Sequence, residues 1–344
     1  MSHRFLESLR TSSSALAVVM GVVSLAALPV AGQTSSLAGK EKTTPTAKTW
    51  TQPRTPDGQP DLQGIWSNAT TTPLERPAAL AGKQVLTDEE TAELEKQTAQ
   101  NRNTDRRDEK GTDADVARAY NEFWWDRGKV LNRTSLIVDP ADGRLPPLTA
   151  QGQKTMDARA EAKRGRGPAD SWEDRPLQER CVLYHGVPPL PTGYNNNYQI
   201  VQVPGYVAIL HEMIHDVRLI PLDGRPHLPQ NIHQWMGDSR GHWEGDTLAV
   251  ETTNFNAQPN LFRFPASGAA VRVQERFTRL DADHIDYRFT VDDPAMYQRP
   301  WTAILPMTKI EGPIYEYACH EGNTGMVGIL AGARAQEAAK KASK

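Results

Sequence analysis

The sequence has no excess of either charge and no long basic stretch. Its 39 Lys and Arg residues are balanced by 42 Asp and Glu residues, which leaves a net charge of -3 on 344 residues. Phosphate binding requires clustered cations, so we do not expect nucleic acid to be the main partner. Collagen-like, coiled-coil and fully disordered chains are excluded by the composition.

Several catalytic motifs are also absent. The chain has no Gly-x-Ser-x-Gly elbow, no Walker loop, no dinucleotide-binding glycine fingerprint and no Cys-x-x-Cys-His. The common serine hydrolases, NTPases, nicotinamide enzymes and covalent c-type haem proteins therefore lack their sequence anchors here. Beyond the first 31 residues no apolar run is long enough to cross a bilayer, so we expect no integral membrane segment in the mature chain.

Residues 1–31 have the composition of a secretory signal peptide. Arg4 and Arg10 precede an apolar stretch, Ala15–Val30, which ends in small residues. A transmembrane anchor is the competing interpretation, but the stretch is short and is interrupted by glycine, serine and proline. The sequence therefore predicts a periplasmic or secreted protein.

Cysteine is nearly absent, with Cys181 and Cys319 as the two examples. In an oxidising compartment two thiols usually pair, so we expect one disulfide. It would close a loop of about 139 residues and stabilise the fold by about 4–5 kcal/mol in the chain-entropy model. The alternative is a catalytic cysteine beside His185 or His320.

Turn and helix signals divide the rest of the chain. Residues 32–60 are polar and Pro-rich and predict a flexible linker, residues 61–330 a single β-rich domain with a helical N-terminal half, and residues 331–344 a fraying tail. A capping box at Thr87 predicts a helix to about Gln100, and Thr149 predicts another to about Lys163. A third helix is expected over 115–125.

Short β-branched and aromatic runs separated by turn residues predict nine or ten strands. They cover residues 65–66, 135–138, 198–203, 206–210, 217–220, 247–253, 271–278, 284–290, 301–305 and 314–318. The predicted fold is mainly β: an antiparallel β-barrel, or a sandwich, of about 8–10 strands with two or three N-terminal helices packed on it.

Three long motifs resemble a large family of exported bacterial proteins of unknown function. They are Pro53–Trp66 (PRTPDGQPDLQGIW), Trp235–Leu248 (WMGDSRGHWEGDTL) and Tyr315–Asn323 (YEYACHEGN). The resemblance spans nearly the whole mature chain and implies export, but no activity. The Gly-x-Trp of the first strand is also similar to lipocalins and other calycins, which implies a ligand-holding barrel.

Residues 211–215 (HEMIH) match the zinc-peptidase pattern, in which two histidines share a helix face and the glutamate activates water. The flanking segments favour strands, and in one extended strand the two imidazoles would lie about 13 Å apart. A turn at Met213–Ile214 would bring them together again. We therefore expect no cofactor, and zinc at His211 and His215 stays an alternative.

The eight histidines from residue 185 to residue 320 predict a polar cluster at one end of the barrel. Its expected members are His185, Asn196, His211, His215, His233 and His320. Residues 231–246 add Trp235, Asp238 and Arg240, which either form tight turns or recognise a polar ring through charged hydrogen bonds and stacking.

Three functions fit these residues. The first is an exported enzyme (hydrolase, lyase or isomerase) that binds a small organic or sugar-like substrate in a barrel pocket. In it His211, His215 and His320 transfer protons, Glu212 and Asp238 orient them, and the other polar residues named above hold the substrate. The second is a non-catalytic exported ligand-binding protein with the same pocket. The third is a zinc metallopeptidase.

Overall fold

The computed structural model describes residues 50–103, 105, 122–258 and 262–343. The predicted signal peptide and the first part of the predicted linker lie outside these residues. The helices are α1 Asp88–Arg102, α2 Ala150–Lys163 and α3 Thr324–Ala342. The strands are β1 Gly64–Ser67, β2 Ile137–Asp139, β3 Asn197–Val203, β4 Tyr206–His211, β5 Val217–Pro221, β6 Asp238–Glu244, β7 Thr247–Thr253, β8 Arg272–Arg279, β9 His284–Asp292, β10 Trp301–Ile304 and β11 Met307–Lys309.

The strands form one antiparallel sheet that nearly closes into a barrel. Nine of them pair in the order β5-β4-β3-β1-β11-β9-β8-β7-β6, while β10 joins β2 to β9 outside this path. At the seam between β5 and β6, Gly241 lies so close to β5 that a Cβ there would come within 2.8 Å of Ile220 Cγ2. The mainly β prediction and its antiparallel barrel alternative are confirmed.

Two of the predicted helices form where the caps place them. The Thr87 side chain accepts a hydrogen bond from Glu90 N at 3.2 Å, and Glu90 accepts one from Thr87 N at 2.9 Å, which completes the capping box of α1. Thr149 Oγ1 accepts from Gly152 N at 2.8 Å at the start of α2. The predicted helix over 115–125 falls largely outside the described residues, and Glu122–Trp124 within it form a short 3-10 turn.

The strand predictions are wrong at two places. Residues 314–318 do not form a strand, and Tyr315 there is 70% exposed, so its aromatic ring packs in no sheet. Strand β6 occupies residues that the turn-rich sequence assigned to tight turns. Its backbone pairs with β7 over the full length of both strands, and this tertiary pairing overrides the low strand propensity of its Gly and Asp.

Both ends of the described domain are more ordered than their composition suggested. Residues 53–61 form a turn closed by Asp61 N donating to Pro53 O at 2.8 Å, although a flexible linker was predicted to residue 60. At the C-terminus the predicted fraying tail instead extends α3, because its Ala, Lys and Gln residues are strong helix formers. Arg334 fastens α3 by donating to the backbone oxygens of Ala169 and Asp170.

No helix among the described residues is long and apolar enough to span a membrane.

Cys181 and Cys319 form the predicted disulfide, at a sequence separation of 138. Asn323, just after Cys319, donates to Glu179 O at 2.8 Å. The bridge therefore holds the start of α3 against the segment that leads into β3.

The barrel interior is filled by side chains, several of them aromatic and almost fully buried. Among the largest of the described ones are Trp66, Trp301, Tyr198, Tyr287 and Phe289. Alternating residues of each strand point inward, as the burial pattern of β8 and β9 shows. The part of the barrel interior that these side chains occupy is therefore a packed core and not an open ligand cavity.

One buried ion pair crosses this interior. Arg218 on β5 donates to Glu275 Oε1 on β8 at 2.9 Å and also to Oε2, with side chains 4% and 0% exposed. Arg218 further donates to Ser239 Oγ on β6 at 2.9 Å and to Thr252 Oγ1 on β7 at 2.8 Å. Tyr287 on β9 donates to Glu275 Oε1 at 2.8 Å, so five strands meet in one hydrogen-bond network.

Replacing Arg218 by Met should lower the free energy of unfolding by about 3–5 kcal/mol, because Glu275 would remain buried without its counter-charge. The double variant Arg218→Met/Glu275→Gln should recover much of this loss, since it removes both charges and keeps an acceptor for Tyr287. Urea denaturation of the disulfide-intact protein measures both effects.

The matched control is Arg54→Met, which breaks the exposed pair with Asp246 and should cost less than about 1 kcal/mol. A double variant as unstable as the single Arg218 variant would show that the ion pair itself, and not its charge balance, is what the fold needs.

Candidate functional site

A chain of buried hydrogen bonds occupies one end of the barrel, where β1 ends and β3 begins. Tyr198 Oη pairs with His185 Nδ1, and His185 Nε2 lies 3.2 Å from Thr192 Oγ1. Asn196 supports the loop between them, because its Oδ1 accepts from Thr192 N at 2.7 Å. The structure thus brings His185 and Asn196 together, as predicted, and adds Tyr198 and Thr192, which the sequence did not single out.

The hydrogen-bond pattern assigns the protons of this chain. Asn68 Nδ2 donates to Tyr198 Oη at 3.3 Å, so the phenol proton is directed to His185 Nδ1. Thr192 Oγ1 donates to Tyr194 O at 2.8 Å and therefore accepts from His185 Nε2. His185 is then a neutral imidazole with its proton on Nε2.

His211, at the end of β4, packs beside this chain. Its ring is edge-on to Tyr198 with 4.9 Å between the ring centroids. The two ring nitrogens make no hydrogen bond to any described residue. Burial lowers the pKa of His211 to about 3, with Arg218 adding to the effect. Burial also holds the pKa of His185 well below its usual range, with smaller contributions from His211 and Arg263. Both rings are therefore uncharged at neutral pH.

Residues 211–215 do not form the helix that a zinc peptidase requires. His211 belongs to β4 and is 2% exposed, whereas His215 lies in a short 3-10 turn and faces solvent. Glu212 between them accepts from Asn197 Nδ2 at 2.7 Å and from Tyr315 N at 3.3 Å, so it fastens the chain beside Tyr315. Among the described residues no group of three or more potential ligands is placed to hold a metal ion.

A second polar group lies at the same end of the barrel but outside it, where β6 begins and β7 ends. The loop before β6 is fastened by Asn254, whose Nδ2 donates to Leu228 O, Pro229 O and Ile232 O at 3.1, 2.9 and 3.0 Å. Asn254 has a φ of 57°, a left-handed conformation that asparagine tolerates better than most residues. This anchor sets the position of His227 and His233 on the loop.

His227 is held by a buried carboxylate. Its Nδ1 lies 2.9 Å from Asp238 Oδ2, which also accepts from Leu228 N at 3.0 Å. The other oxygen, Asp238 Oδ1, accepts from Arg240 Nη1 at 2.6 Å. Asp238 is 5% exposed, while the His227 side chain is 24% exposed. The His227 Nε2 atom lies 3.3 Å from Glu251 Oε1 on β7.

His227, His233 and Glu251 line a cavity of about 620 Å³ on the outer face of β6–β8. Arg272 also lines it, with its Nη1 atom 3.6 Å from Glu251 Oε2. We call this space the His227 cavity. A histidine that is oriented by a buried carboxylate and open to a cavity is the usual arrangement of a general acid or base.

The structure therefore divides the predicted site. His185, Asn196 and His211 form the buried group, whereas Asp238, Arg240 and His233 belong to the His227 cavity or its support. Trp235 lines a different cavity, beside α2, and His320 is exposed next to the disulfide. The sequence did not single out His227, which lies four residues before the polar segment 231–246, or Glu251, which lies within the predicted strand 247–253.

Comparisons of the chain with family models, with curated proteins and with solved structures return no match.

The low pKa of His211 makes stability depend on pH. An unfolded histidine takes up a proton below about pH 6.5, whereas the folded ring stays neutral to much lower pH, so acid favours unfolding in that window. Relative to a His211→Asn variant, the wild-type free energy of unfolding should fall by about 1.4 kcal/mol per pH unit below pH 6. Urea titrations between pH 7.5 and 4.5 measure this slope, and parallel curves for the two proteins would contradict it.

Proposed function

We propose that the protein is an exported enzyme in which His227 transfers protons to and from a small organic or sugar-like substrate bound in the His227 cavity. The observation that carries the proposal is the pairing of a partly exposed histidine, facing a cavity, with the buried Asp238. The proposed export follows from the signal-like residues 1–31 and from the resemblance of the three long motifs to exported bacterial proteins.

The geometry supports a division of roles. Asp238 accepts a hydrogen bond from His227 Nδ1 and thereby leaves Nε2 as the nitrogen that meets the substrate, while Arg240 and Leu228 N donate to the carboxylate and keep it oriented. Glu251, close to Nε2, is placed to act as the second acid–base group. Arg272 can hold a negatively charged or polar group of the substrate. Hydrolysis, elimination and isomerisation all use such a pair.

His227→Asn should lower kcat at least 100-fold, because the proton-transferring group is lost. Asp238→Asn should also lower kcat strongly, since an amide can donate to Nδ1 and impose the wrong tautomer. Both are measured against a panel of glycosides, carboxylic esters and uronic acid derivatives, with product release followed directly. His242→Asn is the matched control, because His242 pairs with Glu244 at 2.9 Å on the open surface and should be dispensable.

The alternative of a non-catalytic exported binding protein gives a different result. Members of the panel would then bind with an affinity that Arg272→Gln weakens, but none would be converted. If His227→Asn kept full activity, another group would have to transfer the proton, and the proposed role of His227 would be rejected.

A further inference from the structure

A continuous groove runs along helix α2 and its neighbours. A rim cavity of about 320 Å³, beside Thr192, shares Arg263 with a second cavity of about 490 Å³. The second cavity shares Arg159 and Lys163, on α2, with a third of about 510 Å³. Because adjacent cavities have wall residues in common, we treat them as one surface, the α2 groove.

The groove is strongly basic although the chain is nearly neutral. Eight Arg or Lys residues line it and two acidic residues do. The cations are Arg102, Arg127, Arg159, Lys163, Arg166, Arg175, Arg180 and Arg263, and the acids are Glu173 and Asp174. The whole chain has 39 cationic against 42 acidic residues, so this surface departs sharply from the average.

Five of the eight cations have no carboxylate partner among the described residues: Arg102, Arg159, Lys163, Arg180 and Arg263. Arg263 donates through Nη1 to Pro191 O at 2.9 Å, and its other donors make no hydrogen bond to a described residue. The paired ones include Arg166, 2.7 Å from Asp174, and Arg175, 2.7 Å from Glu179. Unpaired cations along one concave surface attract an anionic ligand and leave their hydrogen-bond donors available to it.

The uncharged parts of the groove suit a sugar chain. At the rim end Thr71 lines the wall, and its Oγ1 has no hydrogen-bond partner among the described residues, whereas the hydroxyls of Thr70, Thr72 and Thr192 are engaged in internal hydrogen bonds. At the other end Trp172 is 53% exposed, with the guanidinium carbon of Arg180 4.5 Å from its ring centroid. A flat, exposed indole offers an apolar surface to the face of a sugar ring. Polar groups of the groove can form hydrogen bonds with the hydroxyl groups at the edge of that ring.

We propose that the α2 groove binds an acidic oligosaccharide, with its carboxylates at the unpaired cations and a sugar ring on Trp172. Nucleic acid fits less well, because single strands are held by several stacked aromatic side chains, and Trp172 is the one exposed aromatic ring among the residues that line the groove. The groove shares no wall residue with the His227 cavity, so this proposal does not depend on the proposed catalysis.

Titration calorimetry with an oligogalacturonate, at low and at physiological salt, tests the proposal on the full protein. The double variant Arg159→Gln/Lys163→Gln should bind about tenfold more weakly, and wild-type affinity should fall as salt rises. Arg144→Gln is the matched control, since Arg144 is exposed, lies outside the groove and has no side-chain partner among the described residues.

The methyl-esterified oligogalacturonate separates charge from sugar recognition and should bind much more weakly than the acid form. A single-stranded oligonucleotide of similar length should also bind more weakly. Absence of oligogalacturonate binding, equal affinity of the double variant and the wild type, or tighter binding of the oligonucleotide would each overturn the proposal.

Discussion

The buried Arg218–Glu275 pair closes the barrel where the backbone does not. Strands β5 and β6 lie side by side at the seam, yet they are the two ends of the hydrogen-bonded strand order. Arg218 crosses this seam to Ser239 and continues to Thr252 and Glu275, so side-chain hydrogen bonds replace the missing ladder. Since an unpaired charge in this interior would be costly, the strands are held in the one arrangement that satisfies it.

Both polar groups at this end of the molecule depend on that closure. β6 carries Ser239 inward to the network and Asp238 outward to His227, so the contact that fixes one residue also sets its neighbour. On the other side of the seam β5 pairs with β4, which ends at His211. Burial then separates the two groups chemically. His185 and His211 are kept neutral inside the barrel, whereas His227 stays open to a cavity and next to carboxylates.

Local signals in the sequence predicted the elements that depend on neighbours in the chain. The capping box of α1, the Thr149 cap of α2, the hairpin of β8 and β9 and the disulfide all formed as expected. Strand β6 was missed because its residues favour turns and only pairing with β7 makes them extended. Helix α3 was not predicted, although its Ala, Lys and Gln residues favour helix, because a helix gains most of its stability from tertiary contacts such as those of Arg334 with residues 169 and 170.

The site shows the same division. Composition and the order of residues predicted a polar cluster at one end of a β-rich fold, with Asp238, Arg240 and His233 among the candidates. Tertiary structure alone decided that Asp238 would hold His227, 11 positions away, and that the His211 ring would be buried against Tyr198. It also brought together, from separate segments of a chain with balanced charge, the cations that line the α2 groove. The reason is physical: burial, pairing and local charge density arise from distances between segments, and a linear pattern does not contain those distances.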